Sequence, residues 1–184
     1  MKTFEELEQA WQQAARSPSG RGVVRVICRR LPGGVHESLE SAQISLEQGL
    51  EGDRWSRDHD PERLSQITCM NATAAACVAH AGAPPIAAGD NFLIDLDVSE
   101  RALPVGAQLR LGSALLEVTA EPHLGCSKFR ERFGAGALRW VNDKQLRSQR
   151  LRGVNLRVLR AGNVRIGDGV EVLPQTSGGD GAGG

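Results

Sequence analysis

The hydrophobic and polar positions of this chain follow a strand-like pattern over much of its length. Short runs in which apolar and polar residues alternate predict strands, and glycine-rich turns separate many of them. The predicted extended segments are residues 22–29, 35–46, 66–70, 91–98, 109–118 and 152–172. Many short strands with few helices are typical of a β-barrel or a strongly curled sheet. We therefore expect a mainly β fold, in which the last segment forms a meander and Val24, Val26 and Cys28 share one face of the first strand.

Helical signals are confined to a few short segments that would flank the sheet. The predicted helices cover residues 3–16 and 72–80, a short stretch from residue 127 onward, and a further turn or two at 137–143. Thr3 and Glu6 have the spacing of a capping box at the start of the first helix. Asn71 is the expected N-cap of the second. The apolar face of the first helix should pack against the body of the protein or against a partner.

Length and composition predict one globular domain in a chain of 184 residues. We expect an N-terminal helix and linker at 1–20, the main domain at 21–174 and a disordered, glycine-rich tail at 175–184. Hydrophobic residues make up 40%, charged residues 24%, and the formal net charge is zero, which argues against a nucleic-acid-binding protein. The sequence contains no apolar run of the roughly 20 residues that a membrane span needs and no signal peptide, so no membrane association is expected. The oligomeric state stays open.

Four cysteines are scattered along the chain: Cys28, Cys69, Cys77 and Cys126. They include no C-x-x-C pair, so neither a structural zinc site nor a disulfide framework is predicted. Reduced thiols of this kind fit a cytoplasmic protein. Cys28 alternates with apolar residues on its predicted strand and should belong to the core.

The stretch 121–134 carries the most distinctive chemistry. Pro122 and Gly125 interrupt any arriving strand, and a helix can begin at Ser127, which places Cys126 at a strand-to-helix corner. Three cations follow the thiol at short intervals: Lys128, Arg130 and Arg132. Helix starts and nearby cations lower a thiol's pKa and favour the nucleophilic or metal-binding thiolate. An anionic guest that carries sulfur or a metal is therefore expected, although a buried structural cysteine is the alternative.

Two further features have competing interpretations. The loop 49–55 mixes glycines with Asp53, Arg54 and Trp55, which is typical of a recognition loop but also of a polar turn with Trp55 as a lid on the core. His59 lies between two acidic residues, and a solvated turn is the expected interpretation.

Several of these segments together resemble the MOSC domain over roughly residues 23–173. The resemblance is carried by Gly89-Asp90-Asn91, the turn 104–106, the run 115–133 with Cys126 and its cations, and 151–155 followed by Gly167-Asp168. This domain forms the C-terminus of molybdenum cofactor sulfurases and also occurs in stand-alone bacterial proteins and amidoxime-reducing molybdoenzymes. The resemblance implies a β-barrel with a few short flanking helices, and a cysteine that meets the molybdenum cofactor or carries sulfur destined for it.

The resemblance also implies roles for individual residues. Cys126 would be the thiolate ligand to molybdenum, and Lys128, Arg130, Arg132 and Arg152 would contact the phosphate of molybdopterin. We expect Arg152 and Asn155 to line the same cavity as Cys126, with Gly153 allowing a ligand to approach the backbone. His123 would either donate a hydrogen bond to the sulfur or an oxo group, or be an ordinary turn histidine.

Three functional hypotheses remain open from the sequence. The first is a molybdenum enzyme that reduces N-hydroxylated or N-oxide small molecules. It would need a separate electron-donor reductase, because the sequence contains no flavin, haem or iron–sulfur motif. The second is a non-catalytic carrier that holds a persulfide on Cys126 or delivers the cofactor to an acceptor molybdoenzyme. The third is a barrel that keeps the fold without the cofactor.

Overall fold

The computed structural model describes residues 1–57 and 61–174. His59 and the predicted tail lie outside the described residues. The helices are α1 (Phe4–Gln13), α2 (Ala72–Val78) and α3 (Ser127–Val141). The strands are β1 (Arg21–Arg30), β2 (His36–Leu39), β3 (Ser41–Ser45), β4 (Gly49–Leu50), β5 (Ile67–Asn71), β6 (Phe92–Asp95), β7 (Gln108–Leu111), β8 (Ala114–Val118), β9 (Val154–Arg160), β10 (Gly162–Arg165) and β11 (Gly169–Val172).

Seven strands form a closed barrel in the order β11-β7-β8-β9-β5-β6-β1, and the pairing of β1 with β11 completes the ring. All pairs in this ring are antiparallel except β5 with β6, which α2 connects. Strand β2 extends the sheet from β1, and β10, β3 and β4 form a second small sheet. The predicted mainly β barrel with short flanking helices is therefore confirmed.

The predicted meander at 152–172 is wrong. Strand β10 leaves the barrel and pairs with β3, whereas β11 returns to it between β7 and β1. Alternation along these residues identifies the strands, but it does not identify their partners, because partners are chosen by contacts far away in the sequence.

A bulge in β1 changes which of its residues face the barrel interior. The register with β6 shifts between Val24 and Val26. Val24 and Ile27 therefore belong to the core inside the barrel, whereas Val26 packs against the apolar cluster outside it. The expected common face of Val24 and Val26 is wrong, because the extra residue of a bulge turns the following side chains over. Cys28 is fully buried, as predicted.

A second apolar cluster joins the outside of the barrel to the three helices. It contains Leu7 of α1, Met70, Leu93, and Phe129 and Trp140 of α3. The capping box at the start of α1 is present, with the Glu6 amide donating to Thr3 Oγ1 and the Thr3 amide to the Glu6 carboxylate. Helices α1 and α2 end earlier than predicted, because their C-caps are already extended.

Helix α3 is kinked at Gly134, whose φ of 92° and ψ of 172° only glycine adopts readily. The kink divides α3 into a first half that begins beside Cys126 and a second half with Trp140 and Val141 buried. The two helical segments predicted here are thus parts of one bent helix. In the described part of the chain, none of the helices has the length and apolar character that a membrane span requires.

Candidate functional site

Cys126 lies at the corner where the chain from β8 turns into α3. Its extended backbone (φ −117°, ψ −178°) is the N-cap of the helix, and its carbonyl accepts a hydrogen bond from the Arg130 amide at 3.0 Å. Asn142 at the far end of α3 fastens the preceding loop, because its side chain accepts from the Gly125 amide at 2.8 Å and donates to the Gly125 carbonyl at 3.0 Å. The thiol is exposed. The predicted strand-to-helix corner is therefore present, and both ends of α3 position it.

The other three cysteines are buried. Burial raises the pKa of Cys28 to about 12, with nearby Arg30 opposing the rise. Burial likewise raises the pKa of Cys69 and of Cys77. Among the four thiols, only Cys126 is exposed and can meet a ligand or reagent from solvent, so the alternative of a buried structural cysteine at 126 is wrong.

Cys126 opens into a hollow of about 160 Å³, which we call the cationic hollow. Its charged or titratable lining residues are Arg30, Arg54, Lys128, Arg132, Arg152, His36 and His123. Of the described residues that line it, none is acidic. Arg54, Lys128 and Arg132 make no ion pair with any acidic side chain of the described residues. The hollow therefore presents an excess of positive charge beside the thiol.

Asp53 holds one wall of the cationic hollow in place. Its carboxylate is 1% exposed, and Arg30 donates to it from Nε at 3.1 and 3.0 Å and from Nη2 at 2.8 Å. Burial alone would raise the pKa of Asp53, but the hydrogen bonds and charge of Arg30 outweigh it and hold the pKa below its ordinary value. The next residue, Arg54, lines the hollow, and Trp55 is 8% exposed in the core. Burial of Trp55 agrees with its expected position as a lid on the core. A recognition role for the loop stays a prediction.

His36 and Arg132 meet around Gly89, which also lines the cationic hollow. Nδ1 of His36 lies 3.2 Å from the Ile86 carbonyl and donates to it, which leaves Nε2 without a proton in the neutral ring. Burial lowers the pKa of His36, and the charge of Arg132 lowers it further. Gly89 has a φ of +77°, and a Cβ there would lie 2.7 Å from His36 Cε1. Only glycine lets the ring pack this closely on the backbone.

A polar cluster beside the cationic hollow joins the buried Asp90 and Arg152 to His123, whose side chain is 13% exposed. Arg152 donates from Nη1 to Asp90 Oδ2 at 2.5 Å and from Nη2 to the Ala88 carbonyl at 3.1 Å, and its guanidinium lies over the Phe129 ring. Burial raises the pKa of Asp90 while Arg152 opposes the rise. Burial and then the charge of Arg152 hold the pKa of His123 well below its ordinary value.

Three atoms of this cluster are buried without a hydrogen-bond partner among the described residues: Asp90 Oδ1, His123 Nδ1 and Arg152 Nε. Two of them, Asp90 Oδ1 and His123 Nδ1, lie 3.5 Å apart. Buried polar atoms are rarely left unpaired in a structural core. Their concentration beside Cys126 indicates a site that is completed by small adjustments or by a guest.

A second hollow of about 330 Å³ adjoins the first, and we call it the apolar hollow. Its apolar walls include Val105, Val118, Leu124, Val141 and Val154. His123, Leu124 and Arg152 line both hollows and therefore form the partition between them.

The structure distributes the predicted site residues unevenly. The cationic hollow brings together Cys126, His123, Lys128, Arg132 and Arg152. Asn155 lines the apolar hollow instead, and Arg130 is exposed and lies outside the described lining of either one. Gly153 also borders the apolar hollow, but a Cβ there would lie 2.1 Å from the Cys69 carbonyl oxygen. Close approach of β5 explains this glycine without a ligand.

Arg30 and His36 were not predicted as site residues, and no separate role was predicted for Asp90. Arg30 and His36 are directly opposite each other in the pairing of β1 with β2. The glycines at 33 and 34 between them are the available signal, because a tight turn there predicts a hairpin and brings its two ends together. Asp90 follows a glycine at the entry to β6, in one of the segments that carry the family resemblance.

These features define a class of protein: a closed β-barrel with an exposed cysteine in a cationic hollow at a helix start. The sequence matches the family model of the MOSC domain over residues 59–171, more than half of the chain. The chain therefore belongs to the MOSC domain family, which is associated with molybdenum cofactor binding. The resemblance seen in the sequence is confirmed.

Several solved structures have a similar fold. The YuaD protein from Bacillus subtilis superposes with a TM-score of 0.64 at 15% identity, covering 85% of this chain and 97% of its own. YiiM from Escherichia coli superposes with a TM-score of 0.56 at 20% identity, covering 85% of this chain and 71% of its own. YiiM from Geobacillus stearothermophilus superposes with a TM-score of 0.55 at 16% identity, covering 85% of this chain and 75% of its own. At these identities the likeness concerns the fold alone. A comparison with curated proteins found no match.

Proposed function

We propose that this protein binds the molybdenum cofactor with Cys126 as thiolate ligand to the metal and reduces N-hydroxylated or N-oxide compounds. The observation that carries the proposal is the position of Cys126, the exposed cysteine, at the edge of a hollow lined by cations and by no described acidic residue. A thiolate suits a thiophilic metal, and cations suit a phosphate.

The residues of the cationic hollow fit the cofactor chemically. Arg54, Lys128 and Arg132 have no acidic partner among the described residues and are the candidates to hold its phosphate. Arg152 and Arg30 are already paired with buried carboxylates, so they position the walls and contribute less net charge. When bound, the cofactor supplies two-electron redox chemistry next to the thiolate.

The overall reaction balances as R–NH–OH plus two electrons and two protons giving R–NH₂ and water. The N–O bond breaks, the nitrogen is reduced, and the protons come from solvent. We propose that a separate reductase supplies the electrons, since the given sequence contains no flavin, haem or iron–sulfur motif. Exposure of the cationic hollow leaves room for such a partner to approach.

A carrier role is the second candidate, and the exposure of the Cys126 thiol favours it. A persulfide on that sulfur, or a loosely held cofactor, would be accessible to an acceptor molybdoenzyme. In this version the protein has no turnover of its own.

The test compares wild type, Cys126→Ser and the buried-cysteine control Cys77→Ser, each purified from a host that makes the cofactor. Molybdenum and pterin per chain, the absorption spectrum and reduction of a hydroxylamine-type substrate with an artificial electron donor are measured. We expect Cys126→Ser to keep part of the pterin but to lose the sulfur-to-metal charge-transfer band and all activity. Cys77→Ser should keep the band and the activity.

A carrier would instead show no such band in wild type and would release sulfide on reduction. Equal cofactor content and spectra in wild type and Cys126→Ser would refute both versions and leave a barrel without the cofactor.

A further inference from the structure

His123 presents one edge of its ring to both hollows and hides the other. The ring lines the cationic and the apolar hollow, but Nδ1 is enclosed in the protein, 3.5 Å from Asp90 Oδ1. Asp90 contacts Arg152 through its other oxygen at 2.5 Å, and this ion pair favours the ionised carboxylate. A carboxylate oxygen facing Nδ1 requires the proton on that nitrogen, so Nε2 carries the lone pair. His123 thus offers an acceptor to the hollows.

Asn155 supplies a second acceptor on the floor of the apolar hollow. Its side chain is 4% exposed, and Nδ2 donates to the Glu121 carbonyl at 3.1 Å, which fixes the orientation of the amide. Oδ1 has no hydrogen-bond partner among the described residues and is not enclosed, so it is free to accept from a guest. The neighbouring Thr119 hydroxyl is already used, because it donates to the Leu64 carbonyl at 2.6 Å. The floor therefore offers an acceptor and no spare hydroxyl donor.

The charges around the apolar hollow select neither anions nor cations. Its rim carries three acidic residues, Glu100, Glu121 and Asp143, and three basic ones, Lys144, Arg147 and Arg150. The guanidinium of Arg152 is paired with Asp90. This balance distinguishes the apolar hollow from the cationic hollow, whose excess charge suits a phosphate.

We propose that the apolar hollow binds a neutral organic molecule with an apolar body and two hydrogen-bond donors, received by Nε2 of His123 and Oδ1 of Asn155, with Asp90 positioning His123. This inference rests on the proposed function in one respect, namely that the bound molecule is a substrate. An N-hydroxylated amidine has the required groups, since its hydroxyl and its adjacent amino group both donate. In this arrangement His123 and Asn155 contact the substrate, and Asp90 acts through His123.

The first test reads the tautomer of each histidine by nitrogen-15 NMR of the histidine-labelled protein. Two other histidines are internal references. His36 donates from Nδ1 to the Ile86 carbonyl, whereas His80 donates from Nε2 to the Arg132 carbonyl at 2.9 Å and accepts from the Gly82 amide at Nδ1. We expect the His123 signals to match the His36 pattern. An Nε2-protonated His123 in wild type would overturn the proposal without any variant.

Asp90→Asn then tests the positioning role. The amide oxygen is needed by Arg152, so the amide NH₂ faces Nδ1 of His123 and the proton moves to Nε2. The signals of His123 should change to the His80 pattern, while those of His36 and His80 stay as in wild type. A folded variant with an unchanged His123 tautomer would refute the role of Asp90.

The second test measures binding of benzamidoxime, its O-methyl ether and benzoate by the shifts of the His123 signals. The ether lacks the hydroxyl donor and benzoate is an anion, so both should bind at least about fivefold more weakly than benzamidoxime, the effect of roughly one hydrogen bond. Asn155→Leu should weaken binding of benzamidoxime by a similar factor, and Arg130→Ala, at a residue that lines neither hollow, should not. Equal affinity for all three probes in wild type would refute the proposal even if Asn155→Leu does not fold.

These measurements need no bound cofactor. Selective binding without any reduction would therefore retain this inference and contradict the proposed function. Reduction of benzamidoxime without shifts of the His123 signals would retain the proposed function and contradict this inference.

Discussion

Replacing Arg132 by alanine should weaken retention of the molybdenum cofactor about 10- to 100-fold while leaving the spectrum of the bound metal nearly unchanged. Arg132 lines the cationic hollow, and only one of its five N–H donors is used within the protein, by the Ala87 carbonyl at 3.1 Å. Among the described residues the other donors have no hydrogen-bond acceptor, so they are the candidates to bind a phosphate. A hydrogen bond between charged groups contributes about 1.5–3 kcal/mol, and about 1.4 kcal/mol corresponds to a factor of ten in affinity.

The matched control is Arg130→Ala. Arg130 is on the same half of α3 and carries the same charge, but it is exposed and does not line the described hollows. Salt screens a surface cation that does not line the hollow, so removal of the Arg130 charge should change cofactor retention less than about threefold. Losing the contact of Arg132 to Ala87 costs about 1 kcal/mol of stability, which thermal unfolding of both variants would reveal.

The assay follows molybdenum and pterin per chain during extensive dialysis at fixed ionic strength. Loss of cofactor from Arg132→Ala but not from Arg130→Ala is the expected result. Equal losses from both variants would show that general positive charge, and not the hollow, retains the phosphate. No loss from either would remove Arg132 from the cofactor site.

Two further predictions concern the thiols and the histidines. In the folded protein a small alkylating reagent should modify Cys126 alone, with the three buried cysteines reacting only on unfolding; mass spectrometry of partially modified protein decides this, and faster reaction of Cys28 or Cys69 would contradict the structure. The free energy of unfolding should fall as the pH drops below about 6.5, because the unfolded chain gains a proton that the buried His123, with its lowered pKa, does not. The slope attributable to His123 is up to about 1.4 kcal/mol per pH unit. In denaturant titrations His123→Gln should flatten it, and an unchanged slope would contradict the burial of this ring.

The sequence predicted those parts of the fold that local chemistry determines. The capping box of Thr3 and Glu6 and the N-cap Asn71 each depend on residues a few positions apart. The corner at Cys126 belongs to the same group, because a proline, a glycine and a helix start are all local signals.

The rest depends on contacts between distant segments. Strand β10 could not be assigned to β3 from its own alternation, and the bulge in β1 has no sequence signal that outweighs the regular pattern of its valines. For the same reason only some of the residues that line the cationic hollow were predicted. Lys128 and Arg132 are near Cys126 in the sequence, whereas Arg30, Arg54 and His36 reach it only through the closed barrel.

Closure of the barrel has a consequence for the order of events during synthesis. The pairing of β1 with β11 joins Arg21 to Glu171, and these residues are 150 positions apart. Contacts between residues so far apart in the sequence form late during folding. The intervening chain must lose conformational entropy before these contacts contribute favourable free energy. Arg30 and Arg152 therefore take their places around Cys126 only when nearly the whole chain has left the ribosome. A growing chain has the cysteine but not the hollow, so the proposed cofactor would be loaded only after the barrel has closed.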